Sequence, residues 1–332
     1  MRCLVSGGCG FIGSHVVDCL IEAGHEVTVI DDLSGGFLDN VNPKANTVYA
    51  SICDEKTVDW LFNKEHFDYV FHLAAYAAEG LSHFIRRFNY QNNVIGSMNL
   101  INASIKQQVK CFVFTSSIAV YGAAQTPMRE DMTPQPEDPY GIAKYAVELD
   151  LAAANRMFGL PYIIFRPHNV YGERQNIGDP YRNVVGIFMN KILQGEPLPI
   201  FGNGEQMRAF THISDIAHII ANSAEDTICH NQVFNIGADV PFTVNELARL
   251  VAIAMGEHEG WPIRYLPERK EVKVAYSSHE KSRMMFPVRH VSLVEGLDRM
   301  ADWVKQHGAK TGKPMQVEVA RNLPESWSKI LA

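Results

Sequence analysis

Tyr140 and Lys144 form a Tyr-x-x-x-Lys pattern in a segment with helical periodicity. Positions i and i+4 share one face of a helix, so the phenol and the ammonium are expected to be neighbours. A phenol normally loses its proton near pH 10, so use as a base at neutral pH needs a shift of about 3 units, or ~4 kcal/mol. An ammonium at ~4 Å supplies a similar energy at an effective dielectric constant near 20. The spacing predicts an acid–base pair, although it is also common on solvated helix faces.

A glycine-rich turn lies near the amino terminus. The sequence Gly7-Gly8-Cys9-Gly10-Phe11-Ile12-Gly13 follows a predicted strand and opens a predicted helix. Glycines let the chain turn tightly and bring backbone N–H groups to a pyrophosphate at the helix N-terminus. The turn therefore predicts a dinucleotide site.

An acidic pair follows the turn at the end of the next predicted strand. A carboxylate at Asp31, about twenty residues on, would accept hydrogen bonds from the adenosine ribose hydroxyls. It would also repel a 2′-phosphate, and no Lys or Arg lies between Asp31 and Lys44 to neutralise one. NAD is therefore favoured over NADP, with Asp31 as the main contact and Asp32 as a second contact or a turn cap.

Composition excludes several classes of function. The chain has 332 residues, a net charge of −7 and no long basic run, so neither nucleic acid nor a membrane surface is an expected partner. No segment has the ~18 consecutive apolar residues of a membrane span, and the glycines after Met1 argue against a signal peptide. Six scattered cysteines without a paired spacing predict reduced thiols and a cytoplasmic location.

The elements that must position these residues alternate in the first half of the chain. Nearly continuous apolar runs predict buried parallel strands at Cys3–Ser6, Glu26–Asp31, Thr47–Ser51, Tyr69–Ala74, Cys111–Ser116 and Tyr162–Arg166. Helical periodicity predicts helices at Phe11–Ala23, Asn92–Gln107, with Ile95, Met98, Ile101 and Ile105 on one stripe, and Tyr140–Phe158. Alternating strands and helices predict an α/β fold with a doubly wound, parallel, Rossmann-type sheet.

The second half of the chain changes character, because Pro and Gly punctuate residues 172–204. Later helices are predicted at Ile213–Ala221, Thr243–Ala254 and Ser292–Lys305. We expect a smaller, discontinuous C-terminal substrate lobe. The expected division is residues 1–168 for the NAD-binding domain, 169–310 for the lobe and 311–332 for a tail. We expect 231–255 to return to the first domain, through a strand at Val233–Ile236.

Four motifs in this order carry a family resemblance: the glycine turn, Thr115-Ser116-Ser117 at a strand end, the Tyr140/Lys144 pair and Arg166-Pro167-His168-Asn169. Together they resemble the extended short-chain dehydrogenase/reductase superfamily and, within it, the sugar-nucleotide epimerase/dehydratase family. The stretch Ser116-Ser117-Ile118-Ala119-Val120-Tyr121-Gly122 is similar to that of the UDP-glucose 4-epimerases. The resemblance extends from Arg2 to about Lys305.

The resemblance implies tightly bound NAD, a UDP-sugar substrate, a homodimer and transient oxidation at carbon 4 of the sugar. Ser117, Tyr140 and Lys144 would be catalytic. The cofactor would meet Gly7, Gly10, Phe11, Ile12, Gly13, Asp31, Asp32, Ile52, Leu73, Ala74, Ala75, Asn92, Tyr140, Lys144 and Pro167. The substrate would meet Ser117, Tyr140, Asn169, Asn183, Val184, Phe201, Arg208 and Arg269, with Arg208 on the diphosphate. Ser51 stands where relatives carry an acidic residue near adenine.

Other functions stay open at this point. A lyase of the same family usually carries a carboxylate where this chain has Ile118-Ala119, so a dehydratase or decarboxylase is disfavoured. A net oxidoreductase and a non-catalytic NAD-sensing regulator are further alternatives. The histidines lack the spacing of a metal site, so no metal is expected.

The substrate's carbon-2 group is expected to meet Ala275, if one residue is deleted before Glu271-Val272 relative to the family. That register also aligns Lys281 with a family lysine. Shifting by one residue would place Tyr276 there instead. Arg182 is a candidate partner for a uronate carboxyl group.

Overall fold

The fold follows from strands that are buried on both faces. The computed structural model describes residues 1–123, 126–269, 272–287, 290–313 and 315–327. Its strands are β1 (Arg2–Ser6), β2 (Glu26–Asp31), β3 (Asn46–Tyr49), β4 (Tyr69–His72), β5 (Cys111–Thr115), β6 (Tyr162–Pro167), β7 (Val170–Tyr171), β8 (Leu198–Phe201), β9 (Met207–Ala209), β10 (Thr211–His212), β11 (Gln232–Ile236), β12 (Pro241–Thr243), β13 (Ile263–Leu266) and β14 (Val274–Ala275).

Seven of these strands form one parallel sheet in the order β11-β6-β5-β4-β1-β2-β3. The strand order reverses direction between β1 and β4, which is the point where open α/β sheets bind ligands beyond the carboxyl ends of their strands. The predicted α/β, doubly wound, Rossmann-type sheet is confirmed. Strand β11 pairs with β6 at its edge, as the Val233–Ile236 run predicts.

The helices are α1 (Phe11–Glu22), α2 (Glu55–Lys64), α3 (Glu79–Ser82), α4 (Arg86–Tyr90), α5 (Gly96–Gln107), α6 (Pro139–Phe158), α7 (Val184–Leu193), α8 (Ala217–Asn222), α9 (Val244–Ala254), α10 (Glu280–Met285) and α11 (Leu293–His307). Short 3-10 turns occur at Leu38–Asn40, Ile118–Tyr121, Ile213–Asp215, Ser223–Glu225 and Thr227–Cys229. No described helix is long and apolar enough to cross a membrane.

Successive side chains along the strands point to opposite faces of the sheet, so the first domain has two hydrophobic cores, one on each face. Leu4 packs on one face of the sheet with side chains of α2, α5 and α6. Val5, the next residue, packs on the other face with side chains of α1 and α8. Burial on both faces is why these strands read as continuous apolar runs.

The helix predicted at Asn92–Gln107 begins earlier and contains an irregularity. A helical run extends from Arg86, and residues Gln91–Ile95 form a π-helical turn before α5. The wider turn rotates the residues before Met98 relative to those after it. Ile101 is buried as predicted, but Ile95 is 46% exposed, so the predicted stripe is wrong at its first position.

The returning segment differs from the expectation of 231–255. Ile213, Ile216 and Phe234 pack in the core under α1, so the chain rejoins the first domain well before residue 231. Helix α9 instead packs with α7 and α11 in a separate core that belongs to the second lobe. We therefore propose that the returning segment is 213–236 and that 244–254 belongs to the substrate lobe.

Candidate functional site

A single cleft of about 2150 Å³ lies beyond the carboxyl ends of the sheet strands and extends into the second lobe. Every residue predicted to be catalytic, to bind the cofactor or to bind the substrate borders it. The cleft thus brings together residues from Gly7 to Arg269. Their individual roles stay predictions.

Lys144 is positioned by helix α6 and by the end of β5. The side chain of Asp138 caps the helix by accepting a hydrogen bond from the N–H of Gly141 at 2.9 Å. Lys144 lies one turn after Tyr140, is buried, and donates from Nζ to the backbone oxygen of Thr115 at 2.8 Å. Burial lowers the pKa of Lys144 to about 7 and Glu148 opposes this shift.

The electrostatics of Tyr140 differ from those that the spacing predicts. Burial raises the pKa of the phenol, a hydrogen bond with Ser117 lowers it, and the carboxylates of Asp138 and Glu79 raise it. Lys144 Nζ lies 5.9 Å from the centroid of the Tyr140 ring and is engaged by a carbonyl oxygen. Burial and the two carboxylates therefore oppose ionisation of the phenol, and the role of Lys144 as its acid–base partner stays a prediction. The oxidised nicotinamide carries positive charge and would favour the phenolate when bound.

A buried ion pair supports the catalytic helix and was missed in the sequence. Arg166 on β6 donates from Nε and Nη2 to the two carboxylate oxygens of Glu148 at 3.0 and 2.5 Å. Ser116 Oγ donates to the same carboxylate at 2.5 Å, and Arg166 Nη1 donates to Tyr121 Oη at 2.7 Å. Glu148 lies four residues after Lys144, so the helical spacing that links Tyr140 to Lys144 would have found it.

The cofactor end of the cleft is built from backbone. Gly7 has φ +75°, and a Cβ on Gly13 would lie 2.0 Å from the backbone oxygen of Gly7. No side chain caps the N-terminus of α1 after Gly10. The turn is therefore closed to any side chain at Gly13, and the first turn of the helix keeps its N–H groups for an anion. These residues fit the pyrophosphate of NAD.

Asp31 is held at the end of β2 by two backbone N–H groups, from Cys9 at 3.0 Å and Leu33 at 2.8 Å. Burial raises its pKa, and these two hydrogen bonds lower it. One cation approaches this region from far along the chain: Arg182 Nη2 would lie 3.1 Å from a Cβ on Gly35. Although no Lys or Arg is close to Asp31 in the sequence, Arg182 is close to this region in the structure. The expected preference for NAD over NADP therefore rests on the Asp31 carboxylate itself.

The neighbouring strand ends complete the cofactor end. Ile52 lines the cleft, and its backbone oxygen accepts a hydrogen bond from Asn99 Nδ2 at 2.9 Å. The hydroxyl of Ser51 accepts the N–H of Cys53 at 3.2 Å. Thr115 also lines the cleft, and its Oγ1 atom is buried and has no hydrogen-bond partner among the described residues.

The substrate end is built from side chains that hold one another. Asn169 Nδ2 donates to the backbone oxygen of Ala209 at 3.0 Å, and Asn183 Nδ2 donates to that of Val170. Arg208, the predicted diphosphate contact, donates to the backbone oxygens of Met207 and Lys273 at 2.8 and 3.1 Å, and to that of Val272. These hydrogen bonds tie β9 to the strand segment around β14.

Arg269 lies between two aromatic rings. Its guanidinium carbon is 3.7 Å from the centroid of Phe201 and 5.4 Å from that of Trp327. Trp327 belongs to the C-terminal tail, which also borders the cleft with Val319, Arg321, Asn322, Pro324, Glu325 and Ser326. No role was predicted for the tail, because no local pattern links Trp327 to Phe201, more than one hundred positions earlier.

The positions of Ala275 and Tyr276 favour Ala275 as the residue that would meet the carbon-2 group of the substrate. Ala275 is buried, lines the cleft and packs beside Ile118 and Met128. The backbone oxygen of Tyr276 accepts the N–H of Met128, and Tyr276 does not line the cleft. Lys281 donates to the backbone oxygen of Val233. Lys270 and Glu271, where the expected deletion falls, lie outside the described residues.

No group of three or more His, Cys, Asp or Glu side chains in the described ranges is placed to hold a metal ion. His72 is buried between Ser6 and Ser97, whose hydroxyls lie 2.7 Å from its two ring nitrogens. It is buried in the sheet and is held by these two hydroxyls.

Comparison with known proteins places the chain among sugar-nucleotide enzymes. The model of the NAD dependent epimerase/dehydratase family matches residues 3–237. A putative UDP-glucose 4-epimerase of Methanocaldococcus jannaschii is 36% identical over 92% of this chain and 98% of its own length.

Two solved structures are similar over 92% of this chain. The UDP-glucose 4-epimerase of Thermotoga maritima, solved with UDP-glucose, is 39% identical, with a TM-score of 0.86 and 99% of that chain covered. The UDP-N-acetylglucosamine 4-epimerase of Methanobrevibacter ruminantium, solved with UDP-N-acetylmuramic acid, is 32% identical, with a TM-score of 0.85 and 98% covered.

Proposed function

Because the chain belongs to the NAD dependent epimerase/dehydratase family and is an NAD-dependent sugar-nucleotide epimerase, we propose that it interconverts UDP-glucose and UDP-galactose. The observation that carries this proposal is the arrangement of Ser117, Tyr140 and Lys144 around one cleft, next to the apolar pair Ile118-Ala119. That pair offers no carboxylate for lyase chemistry. Inversion of a hydroxyl group at carbon 4 eliminates no leaving group, so it needs no such carboxylate.

The residues divide the work of the proposed reaction. The Gly7–Gly13 turn and Asp31 would hold NAD, which would supply reversible hydride transfer at carbon 4 of the sugar. Tyr140 takes the proton of the 4-hydroxyl group during oxidation and gives it back during reduction. Ser117 hydrogen-bonds the reacting oxygen and Tyr140, and Lys144 holds its position through the Thr115 carbonyl. Burial of Tyr140 and Lys144 keeps water away from the proton transfer.

A panel experiment tests the proposal. Purified protein is incubated with UDP-glucose, UDP-galactose, UDP-N-acetylhexosamines and UDP-uronates, without added NAD, and products are separated by chromatography and identified by NMR. We expect epimers at carbon 4 of the unsubstituted hexoses. No conversion of any sugar by protein that retains its NAD would overturn the proposal and favour a non-catalytic NAD-binding role.

A second candidate substrate is a UDP-N-acetylhexosamine. The small side chain of Ala275 borders the cleft, which leaves room for an acetamido group if this wall meets carbon 2 of the sugar. A uronate is less favoured. Arg182, its candidate partner, already donates from Nε to Asp179 at 2.8 Å, so a substrate carboxylate would have to displace an existing ion pair.

We also propose that the protein is a homodimer through helix α6. Ile142 and Leu149 are 41% and 54% exposed and lie seven residues apart, on one face of the helix. A second copy would cover them. Sedimentation velocity of Ile142→Glu/Leu149→Glu should show monomer, whereas the matched control Met284→Glu, at a 79% exposed position on α10, should leave the dimer intact.

A cytoplasmic location is proposed from the cysteines. All six are free, and burial raises the pKa of Cys3 and Cys9 to about 12. Thiols of this kind need no oxidising compartment. Fractionation of the source cells with an antibody against the protein would test this.

A further inference from the structure

The C-terminal tail, described at residues 311–313 and 315–327 and preceded by Lys310, crosses from one side of the cleft to the other. It is joined to the substrate lobe at its start: the Asn190 side chain donates to the Lys310 backbone oxygen and accepts its N–H, both at 2.9 Å. Gly312 then packs directly on Gly178, because a Cβ on Gly312 would lie 2.0 Å from the Gly178 oxygen. The tail therefore leaves the lobe along a close backbone contact.

The far side of the tail is joined to the NAD-binding domain. The carboxylate of Glu318 accepts the N–H groups of Arg87 and Phe88, both at 2.8 Å. The backbone N–H groups of Glu318 and Val319 both reach the oxygen of Phe84, at 2.8 and 3.2 Å. A segment with this many hydrogen bonds at both ends spans the two sides of the cleft and does not hang free from either.

Trp327 then places a buried ring between the two sides. It is 3% exposed and packs edge-on against Phe84 of the first domain and Tyr181 of the second, at 6.1 and 5.4 Å between ring centroids. A Cβ on Gly80 would lie 3.3 Å from this ring. Burial of an aromatic ring against both sides stabilises the tail across the cleft.

The neighbours of Trp327 show which part of the cleft it covers. Gly80 and Tyr181 adjoin Glu79 and Arg182, two charged groups whose fields reach the phenol of Tyr140. On its other side the Trp327 ring meets Arg269, the predicted substrate contact. The ring therefore lies in the cleft between residues next to Glu79 and Arg182 on one side and Arg269 on the other.

We propose that the tail keeps the oxidised sugar in the cleft until the reaction is complete, with Trp327 as its positioning residue. This inference rests on the proposed epimerase function. Oxidation transfers the hydride of carbon 4 to the cofactor and the hydroxyl proton to Tyr140, and leaves a ketone attached only through its diphosphate. The ketone must rotate within the site, so that its opposite face meets the cofactor, before the hydride and proton return. If it leaves first, the enzyme keeps the hydride and the proton and cannot complete the next cycle.

The test compares Trp327→Ala and Glu318→Ala with the wild type and with Trp60→Ala, a control on α2 where the Trp side chain is 51% exposed. Each protein is incubated with a UDP-hexose that the wild type converts. The near-ultraviolet absorbance of reduced nicotinamide reports loss of the ketone, and borodeuteride added to the filtrate labels the released ketone at carbon 4. Trp327→Phe serves as the conservative variant.

We expect released ketone per turnover to rise by roughly 10-fold or more in Trp327→Ala, the loss typical of truncating a buried aromatic anchor. Glu318→Ala should show a smaller rise, and Trp327→Phe and Trp60→Ala none. Wild-type release in Trp327→Ala and Glu318→Ala, with normal cofactor content, would overturn the inference. If Trp327→Ala does not fold, Glu318→Ala decides. Absence of any wild-type conversion would instead overturn the proposed function.

Discussion

The two ends of the cleft are built differently. At the cofactor end, the shape is set by backbone: the Gly7–Gly13 turn folds on itself, and a Cβ at Gly13 would collide with its own loop. At the substrate end, the shape is set by side chains from distant segments, such as Arg208 with the carbonyl groups at 272 and 273, and Arg269 with Phe201 and Trp327.

This difference separates a cofactor site that is shaped by main chain from a substrate site that is shaped by exchangeable side chains. A backbone-built site tolerates few residue types at few positions, because the clash is with main chain that cannot move aside. A side-chain-built site tolerates many exchanges, provided that each group keeps a partner. We therefore expect main-chain clashes at the cofactor end to act as all-or-none losses and side-chain changes at the substrate end to act on selectivity.

The largest effect is expected from Tyr140→Phe, at the junction of the two ends. Removing the proton-transfer group should lower turnover by roughly 10²–10⁴-fold. NAD should remain bound, which the absorbance of cofactor released on denaturation measures. Ser117→Ala should lose less, because it removes one hydrogen bond and leaves the base. Near-normal turnover of Tyr140→Phe would show that another group is the base.

A matched pair of glycine substitutions tests the comparison directly. Gly13→Ala and Gly312→Ala each place a Cβ 2.0 Å from a backbone oxygen, of Gly7 and Gly178 respectively. Gly13→Ala should purify without NAD. Gly312→Ala should keep NAD and raise the KM for the UDP-sugar. If both variants lose NAD, the two ends are not separable.

Selectivity at the substrate end should respond to Ala275→Tyr. A large side chain at this wall should lower kcat/KM for UDP-N-acetylhexosamines far more than kcat/KM for plain hexoses. The loss in transition-state binding energy for the acetamido sugars should exceed the ~1–3 kcal/mol that one missing methylene group costs. Competition assays with both substrates measure the ratio. Equal losses on both would show that residue 275 does not meet the carbon-2 substituent.

Asp31→Ala should weaken NAD binding by roughly 10- to 100-fold, because a charged hydrogen-bond acceptor contributes about 1.5–3 kcal/mol. The preference over NADP should shrink, since the repulsion of a 2′-phosphate is removed. Calorimetric titration of cofactor-free protein measures both affinities. Equal NAD and NADP affinity in the wild type would contradict the assignment of Asp31.

The smallest effect is a pH dependence of stability. Burial holds the pKa of Lys144 at about 7 in the folded protein, whereas an unfolded lysine titrates near 10.4. Between these values the unfolded state binds more protons, so the free energy of unfolding should rise with pH. The difference between the wild type and Lys144→Met, measured by urea unfolding of cofactor-free protein, should rise from about pH 7 upward. A flat difference would contradict the depressed pKa.

The residues that line the cofactor end of the cleft can be predicted from the sequence because each of its constraints is local. The Gly7–Gly13 turn, the Asp31 carboxylate and the Tyr140/Lys144 spacing are each read within a short window. The substrate end is predicted only as a set of residues, because its contacts form between segments far apart. The role of Lys144 near Thr115, the return of residues 213–236 and the position of Trp327 depend on packing that no local pattern records.

The Glu148–Arg166 pair restricts how this protein can change over generations. Both side chains are 4% exposed and satisfy each other's charge. Losing one partner leaves a buried charge unpaired, at a cost of about 3–5 kcal/mol, whereas exchanging both for apolar residues of similar volume can be neutral. Single substitutions at either position are therefore expected to be purged before a second can follow. The two positions are therefore expected to change only together, so sequences that differ at just one of them should be rare among functional proteins.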